Sequence, residues 1–253
     1  MALNKKKNFL GVDIGSTSIK LVELTKKGNL PYLVTYGYGE RAINELIKSD
    51  SIEATQMASA LLKKIYQKSG AVSFQAVTAL PNFSVFSSVI TIPAMNEKDL
   101  TNAIRWEAKK IVPMPLEEIV LDWNIIEISK IDNKKNYRVL LTAASRKLVQ
   151  RYVDIFKQAD LQLLSLETEA FALSRSLLGK DEAPTMIVDT SALTTDVIIF
   201  EKGIPTLNRS IDIGGITITK SIANCLNVDF KRADQFKRDM GISGSSKIPQ
   251  IIQ

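Results

Sequence analysis

An apolar segment that ends in aspartate and then turns back on itself occurs twice in this chain, and this repeat limits the possible folds more than any other feature. Residues 9–24 read FLGVDIGSTSIKLVEL, and residues 185–200, 176 positions later, read TMIVDTSALTTDVIIF. In each copy the first apolar run ends at an aspartate, Asp13 or Asp189, and small or hydroxyl residues lead into the second run. Such runs, joined by turn-forming residues, are typical of β-hairpins. The repeat predicts two related halves, each opening with the same hairpin.

Composition restricts the chemistry that this chain can perform. The chain has 253 residues, of which 45% are hydrophobic and 24% charged, values that are ordinary for a globular protein. It contains no histidine, which excludes Ser-His-Asp and Cys-His catalysis and histidine-ligated zinc. The single cysteine, Cys225, excludes an internal disulfide and fits a reducing compartment. Any reaction must therefore use carboxylates, hydroxyls, lysines and a bound ion.

The charge pattern predicts neither nucleic-acid binding nor membrane insertion. The net charge is +6, but the basic residues are scattered and residues 5–7 form the only run of three lysines. A scattered excess is typical of a solvated surface, and no basic stripe alternates with aromatic residues. Near the N-terminus Asp13 interrupts an apolar segment that is too short for a signal peptide, and no segment approaches the roughly 20 apolar residues of a membrane span. We expect a cytoplasmic protein.

The order of predicted elements indicates an α/β protein in four parts. Residues 1–73 are predicted to hold a three-stranded meander and a helix, as the N-terminal part of a first lobe. Residues 74–159 read strand, helix, strand, strand, helix, and are interpreted as an inserted α+β subdomain. Residues 160–183 return to the first lobe and include a connecting helix. Residues 184–253 begin a second lobe with the repeated hairpin and two helices.

The loops after the two aspartates have the composition of phosphate-binding turns. A tight turn provides backbone N–H groups that are free of a strand ladder, and Gly15 permits close approach. Lys20 would add positive charge, and Asp13 is suited to hold Mg²⁺ together with phosphate oxygens. The alternative is an ordinary hairpin turn, but the recurrence of the pattern favours phosphate binding. The candidate cofactor-binding residues are Gly15, Ser16, Thr17, Ser18, Lys20, Thr190, Ser191, Thr194, Gly214 and Gly215.

The glycine pair Gly214-Gly215 allows two interpretations. It resembles the end of a P-loop, but Thr219 stands where that motif requires glycine before the lysine. The pair either turns a strand into a helix or presents the amides of a helix N-terminus to a phosphate. The sequence alone leaves both interpretations open.

Several motifs together resemble the actin-like ATPase superfamily, whose lobes are ribonuclease H-like. They are the duplicated hairpins, the segment ETEAFALSR and the turn IDIGG. Within that superfamily the chain resembles the PilM family of type IV pilus assembly, through GVDIGSTSIKLVEL and, more specifically, AIRWEAKKIVPMPLEEIVLDWNII. The resemblance covers essentially the whole chain. It implies duplicated actin-like lobes, an inserted subdomain and an incomplete second lobe.

The resemblance also implies a site. Asp13 and Asp189 would act in catalysis and bind the metal, and Glu169 would help to position metal or water, although Glu167 fits nearly as well. The implied cofactors are ATP and Mg²⁺. An ATP-responsive scaffold is favoured over a weak ATPase.

The partners are implied in the same way. The inserted subdomain and the neighbouring lobe would form a groove for the N-terminal cytoplasmic tail of the membrane protein PilN, which places the chain at the inner face of the cytoplasmic membrane. The PilN–PilO membrane platform is a wider partner and the pilus motor ATPase a further candidate. The alternatives are an FtsA-like division protein and a sugar or acid kinase of the same superfamily.

Two departures from the family pattern predict a weaker nucleotide site. Ser191 stands where the family has glycine, and Leu193 replaces a small residue, so the second loop is expected to approach phosphate less closely. The family places its glycine-rich adenosine-binding segment beyond Gln253. For Trp106 and Trp123, core packing is favoured over a peptide-binding surface.

Overall fold

The computed structural model describes residues 8–28, 30–40, 51–131 and 134–241 as eleven strands and six α-helices in three units. The strands are β1 (Asn8–Ile14), β2 (Ser18–Lys27), β3 (Leu30–Glu40), β4 (Gln75–Leu80), β5 (Val85–Pro93), β6 (Ile119–Ile131), β7 (Lys134–Ser145), β8 (Gln162–Thr168), β9 (Thr185–Thr190), β10 (Thr195–Glu201) and β11 (Ile204–Ile211). The helices are α1 (Ile52–Ser69), α2 (Glu97–Ile111), α3 (Arg146–Gln158), α4 (Glu169–Leu173), α5 (Gly215–Leu226) and α6 (Phe230–Met240), with 3₁₀ turns at Asn82–Ser84 and Leu116–Glu118 and a π-helical turn at Ser174–Leu178.

The first lobe is a five-stranded sheet in the order β3-β2-β1-β4-β8. β1 is antiparallel to β2 and parallel to β4, which in turn is parallel to β8. Helices α1 and α3 contribute to the core on one face of the sheet, and α1 is bounded by the Ser51 cap and by Gly70, whose φ is 68°. This core consists of Leu10, Val12, Ile14, Ile19, Leu21, Ala58, Leu62, Ile65, Ala76, Leu80, Ala144, Tyr152, Ile155, Phe156, Ala159 and Leu161.

The opposite face of this sheet carries exposed apolar side chains. Successive residues of a strand point to opposite faces, so Leu10 and Val12 enter the core while Phe9 does not. Phe9, Val22 and Val77 are each exposed by more than 40%. The first loop lies at the edge of this face, between the end of β1 and the start of β2.

The inserted unit is an antiparallel sheet in the order β5-β7-β6, with α2 packed on one face. Helix α2 is capped by Asn96, whose Oδ1 accepts a hydrogen bond from the Asp99 amide over 2.9 Å. Trp123 packs against this core, as expected, but Trp106 is 68% exposed and the core interpretation is wrong for it.

The inserted unit includes fewer residues than the predicted range 74–159. β4 lies between β1 and β8 in the first sheet, and α3 places Tyr152 and Phe156 in the first core. Periodicity identifies a strand or a helix but does not say which sheet it joins. We therefore propose residues 82–145 as the inserted unit, entered through the turn at Asn82–Ser84 and left at Ser145.

The second lobe is smaller. Its sheet has the order β11-β10-β9, and its buried apolar cluster consists of Ala170, Ile198 and Phe200. The connecting helix starts at Glu169, because β8 continues to Thr168 and pairs there with Leu80. It then continues as the π-helical turn. The residues after Gly241 lie outside the described part of the chain.

Candidate phosphate-binding cleft between the lobes

The two repeated hairpins close their loops with the same hydrogen bond. In the first loop the Gly15 amide donates to the Ser18 carbonyl over 2.9 Å, and in the second the Ser191 amide donates to the Thr194 carbonyl over 2.8 Å. Both pairs span three residues and follow an aspartate by two positions. The sequence repeat is therefore a repeat of backbone geometry.

Each loop leaves two consecutive amides at its tip without an acceptor in the described part of the chain. They belong to Ser16 and Thr17 in the first loop and to Ala192 and Leu193 in the second. Successive free N–H groups in a turn form a concave anion site. The sequence predicted Ser16 and Thr17 but not the second pair, because Ala192 and Leu193 have no polar side chains and only their backbone position marks them.

The Ser191 side chain makes hydrogen bonds that close the second loop. Its hydroxyl lies 3.1 Å from the Thr194 carbonyl and accepts from the Thr194 amide over 3.2 Å. Thr194 is buried, whereas Thr190 ends β9, where its hydroxyl lies 3.4 Å from that of Thr195. Among the predicted residues of this loop, Ser191 and Thr194 thus hold its shape, while the free amides lie between them.

The structure contradicts one of the two interpretations of the glycine pair at the start of α5. The Gly215 amide donates to the Ser191 carbonyl and the Ile216 amide to the Ala192 carbonyl, each over 2.9 Å. These amides are therefore occupied by the second loop rather than presented to a phosphate. A side chain at Gly214 would place its Cβ 2.7 Å from the backbone of Ala192, so glycine is needed for this close contact. The pair joins α5 to the second loop.

The predicted acidic residues lie around one cavity between the lobes. Asp13, Lys20, Glu169 and Asp189 all line a cavity of about 620 Å³, together with Glu167. Lys20 Nζ lies 2.8 Å from Asp13 Oδ2, so the first aspartate is already paired with a cation. The structure brings together the catalytic and metal residues that the sequence predicted.

Glu169 is the most strongly perturbed acid in this cavity. Burial raises its pKa to about 7, and the charges of Asp13, Asp196 and Asp189 act in the same direction. The Asn82 amide opposes this shift by donating to Glu169 Oε2 over 3.0 Å. By contrast, Glu167 pairs with Arg175 at the rim. A buried carboxyl group that titrates near neutral pH is typical of a functional site.

Asp196 is a site residue that the sequence reasoning missed. It is 3% exposed, lies opposite Asp189 in the β9–β10 ladder and accepts a hydrogen bond from the Ser210 hydroxyl. Burial raises its pKa, the Ser210 hydrogen bond opposes the shift and Asp189 adds to it. In the first hairpin the equivalent position, opposite Asp13, is Lys20. Aligning the two copies residue by residue would have exposed this replacement of a lysine by an acid.

A second cavity, of about 690 Å³, lies between the two loop tips and the last two helices. Thr17 and Ala192 line it, together with Gly215 and charged residues of α6. Lys237 of α6 donates to the Gly215 carbonyl over 3.0 Å and to Thr219 Oγ1 over 2.6 Å. The sequence reasoning missed this residue. The spacing of Asp234, Lys237 and Arg238, which places them on one helix face, was the available signal.

The site fits a magnesium ion that phosphate oxygens help to hold. Within the described ranges, no three cysteine or acidic side chains are arranged so that they could hold a metal ion by themselves. Hydrated Mg²⁺ needs only one or two carboxylates beside phosphate oxygens, and Asp13 and Asp189 provide these.

No helix in the described part of the chain is long and apolar enough to cross a membrane.

Comparison with known proteins identifies the fold. In the solved PilM–PilN type IV pilus biogenesis complex, a chain of 26% identity matches with a TM-score of 0.77, over 91% of this chain and 69% of that one. The ethanolamine utilization protein EutJ from Carboxydothermus hydrogenoformans matches with a TM-score of 0.55 and 20% identity, over 94% of this chain and 63% of its own. These matches confirm the predicted actin-like α/β fold.

Sequence comparison identifies the family. The cell division protein FtsA of Bacillus subtilis is 22% identical over 94% of this chain, and the chain spans 59% of that relative's length. The family model of the type IV pilus assembly protein PilM matches residues 11–248. Because this match extends over nearly the whole chain, including both hairpins and the inserted unit, the chain belongs to the PilM family of type IV pilus assembly proteins.

Proposed function

We propose that the chain is a nucleotide-responsive adaptor of type IV pilus assembly, which binds ATP with Mg²⁺ between its lobes. The observation that carries the proposal is the arrangement of the two hairpins. Their aspartates line one cavity, and one residue from the tip of each loop, Thr17 and Ala192, lines a second cavity. Two loops that offer amides toward a common space suit a chain of phosphates.

The residues divide the task as follows. The free amides at 16–17 and 192–193 bind phosphate oxygens, and Lys20 supplies positive charge at the first loop. Asp13 and Asp189 would hold the Mg²⁺ ion. When bound, Mg²⁺ neutralises charge on the phosphates. Glu169, with its pKa near 7, accepts or releases a proton at the cavity wall, which suits a weak ATPase as well as a sensor of bound nucleotide.

A groove between the inserted unit and the first lobe suits a peptide partner. It has a volume of about 610 Å³ and is lined by Ile52 of α1, Val120 of β6, and Val149 with basic residues of α3. Apolar walls with a charged rim suit an extended segment with aliphatic side chains. We assign this groove to the N-terminal tail of a PilN-type membrane protein. Binding there would hold the chain at the cytoplasmic face of the PilN–PilO platform.

Calorimetry tests nucleotide binding. MgATP is titrated into the wild-type chain, into Asp13→Ala and into the matched control Asp160→Asn, which changes an exposed acid of the same lobe. We expect Asp13→Ala to weaken binding at least about tenfold, since it removes a charged ligand group, and the control to match wild type. Equal affinities in all three proteins would contradict the two-loop site.

Fluorescence anisotropy with a labelled synthetic peptide of the PilN N-terminal tail tests the adaptor role. Val120→Asp places a charge in the groove, whereas Ile128→Asp alters an exposed residue of the same strand that does not line the groove. We expect Val120→Asp to abolish binding and Ile128→Asp to leave it unchanged. If both variants bind the peptide like wild type, this groove is not the tail site.

A further inference from the structure

The strongest unexplained feature is a pair of reciprocal hydrogen bonds between Asn82 and the start of α4. The Asn82 amide donates to Glu169 Oε2 over 3.0 Å, and the Ala170 amide donates to Asn82 Oδ1 over 3.1 Å. Asn82 is only 2% exposed. The two hydrogen bonds, between residues 87 and 88 positions apart along the chain, thus join two distant segments at a buried position.

This pair caps α4 from outside its own segment. The first amides of a helix lack intrahelical acceptors and are usually satisfied by a side chain at the N-cap. Within the described residues, the N-cap Thr168 makes no capping hydrogen bond with its side chain, and Asn82 supplies the acceptor instead. Glu169 returns a bond to the Asn82 backbone, as the glutamate of a capping box does within one segment. The orientation of Glu169 therefore depends on Asn82.

Asn82 also stands where the chain leaves the first lobe for the inserted unit. β4 ends at Leu80 and β5 begins at Val85, and the turn between them is held by Ser84, whose amide donates to the Pro81 carbonyl over 3.0 Å. The chain returns at Arg146, where Nε donates to the Glu117 carbonyl over 2.9 Å beside the peptide groove. A shift of Asn82 therefore moves the entry point of the unit relative to its exit.

We infer that Asn82 is a positioning residue that holds Glu169 in the cleft and couples occupancy of the cleft to the placement of the inserted unit. A phosphate or a cation beside Asp13 and Asp189 changes the force on the Glu169 carboxylate, and the carboxylate transmits that change to the Asn82 amide. The inference rests on the proposed function in taking MgATP as the occupant of the cleft and the groove of the inserted unit as the site of the PilN tail.

A second feature of Asn82 fits this role. Its buried Nδ2 group has no hydrogen-bond partner among the described residues. The assignment of Oδ1 is fixed because the Ala170 amide requires an acceptor there. A buried unpaired N–H group is unfavourable, so the residue gains a hydrogen bond if its surroundings rearrange. Ligand binding can shift an arrangement in which one hydrogen bond of Asn82 is missing.

The test measures the affinity of the labelled PilN tail peptide with and without saturating MgATP. In wild type we expect MgATP to change this affinity at least about fivefold, the lower end of typical allosteric coupling. Asn82 does not line either cleft cavity. The Asn82→Ala variant is therefore expected to bind ATP within about threefold of wild type but to lose the coupling. Asn102→Ala, an exposed amide on α2, is the matched control and should behave like wild type.

Substitutions of Glu169 separate geometry from charge. Glu169→Gln keeps an acceptor for the Asn82 amide but removes the charge on which a phosphate or cation acts, so it is expected to weaken the coupling. Glu169→Ala also removes the acceptor and is expected to abolish the coupling. If Asn82→Ala does not fold, Glu169→Ala decides the question. Coupling that persists unchanged in Asn82→Ala or in Glu169→Ala overturns the inference.

Hydrogen exchange of the β5 and α2 amides provides a readout that does not need the peptide. We expect MgATP to slow exchange in wild type at least about twofold and to have no effect in Asn82→Ala. A wild-type chain in which MgATP changes neither peptide affinity nor exchange overturns the inference. If the peptide fails to bind at all, the adaptor proposal fails, and the exchange measurement still decides the role of Asn82.

Discussion

The two lobes begin with the same hairpin but surround it with very different amounts of structure. In the described part of the chain, the first hairpin lies in a five-stranded sheet with sixteen buried core residues, while the second lies in a three-stranded sheet with three. Both loops nevertheless close with the same backbone hydrogen bond. Loop geometry is therefore set locally by the turn, whereas stability depends on what packs around it.

The test with the largest expected effect replaces one fully buried aromatic side chain in each lobe by alanine. Phe156→Ala in the first core is expected to cost about 3–5 kcal/mol of unfolding free energy, because the dense surroundings cannot fill the cavity. Phe200→Ala is expected to cost less, about 2–3 kcal/mol, since partly buried neighbours can relax.

Denaturant unfolding with hydrogen exchange distinguishes the two variants. Faster exchange after Phe200→Ala should be confined to β9, β10 and β11, while Phe156→Ala should affect both lobes. Equal costs spread over the whole chain would show that the lobes unfold as one unit.

The pH dependence of stability tests the acidic side of the cleft. The pKa of Glu169 is about 7 in the folded chain against a reference of 4.5, so its protonated form favours folding. Its contribution is complete below pH 4.5 and is lost as the pH rises through 7, a total of about 3 kcal/mol.

Glu169→Gln should remove this part of the slope, as seen in melting temperatures measured from pH 4.5 to 8. Burial also raises the pKa of Asp196, which acts with the same sign, so the quantity of interest is the difference between wild type and the variant. Parallel pH profiles for the two proteins would contradict the raised pKa of Glu169.

The contact between the second loop and α5 provides a third test. Gly214→Ala places a Cβ 2.7 Å from the Ala192 backbone and is expected to cost about 1–3 kcal/mol, because the backbone must move. At the neighbouring Gly215 the nearest atom to an added Cβ is Lys237 Nζ, at 3.7 Å, so Gly215→Ala is the matched control. Equal thermal stability of both variants would show that the loop yields freely.

The smallest effect concerns the closing residue of each loop. Ser191→Gly loses the hydroxyl contacts with Thr194 and is expected to cost no more than about 1 kcal/mol. The reciprocal change, Gly15→Ser, adds a Cβ 3.2 Å from the Ser18 carbonyl and should weaken MgATP binding slightly. Calorimetry of both variants shows whether the loops are interchangeable. A gain in ATP affinity for Ser191→Gly would restore the view that Ser191 obstructs the loop.

Local elements could be predicted from the sequence. Both predicted hairpins form, with strands that begin and end within a few residues of the predicted apolar runs. These features depend on neighbouring residues, where alternation, capping and turn chemistry act. The acids Asp13, Glu169 and Asp189 could also be predicted, because the repeat and the family motif mark them.

Features that depend on distant contacts could not be predicted. The pairing of β4 with β1 and β8 required knowledge of the sheet order. Asn82 carries no local signal, since its role arises from contact with a helix that lies more than 80 residues away along the chain. Asp196 and Lys237 likewise acquire their environment from register and helix packing. The two interpretations of Gly214-Gly215 stayed open because nothing in the sequence places the second loop against the amides of α5.

The unpaired edge of β9 has a practical consequence. Among the described strands β9 pairs only with β10, and Met186 and Val188 on this strand are more than half exposed. An open strand edge with apolar side chains is a template for another strand, so this edge of β9 is the place where a further strand would extend the second sheet. A lysine in place of Met186 would make this edge a poorer template.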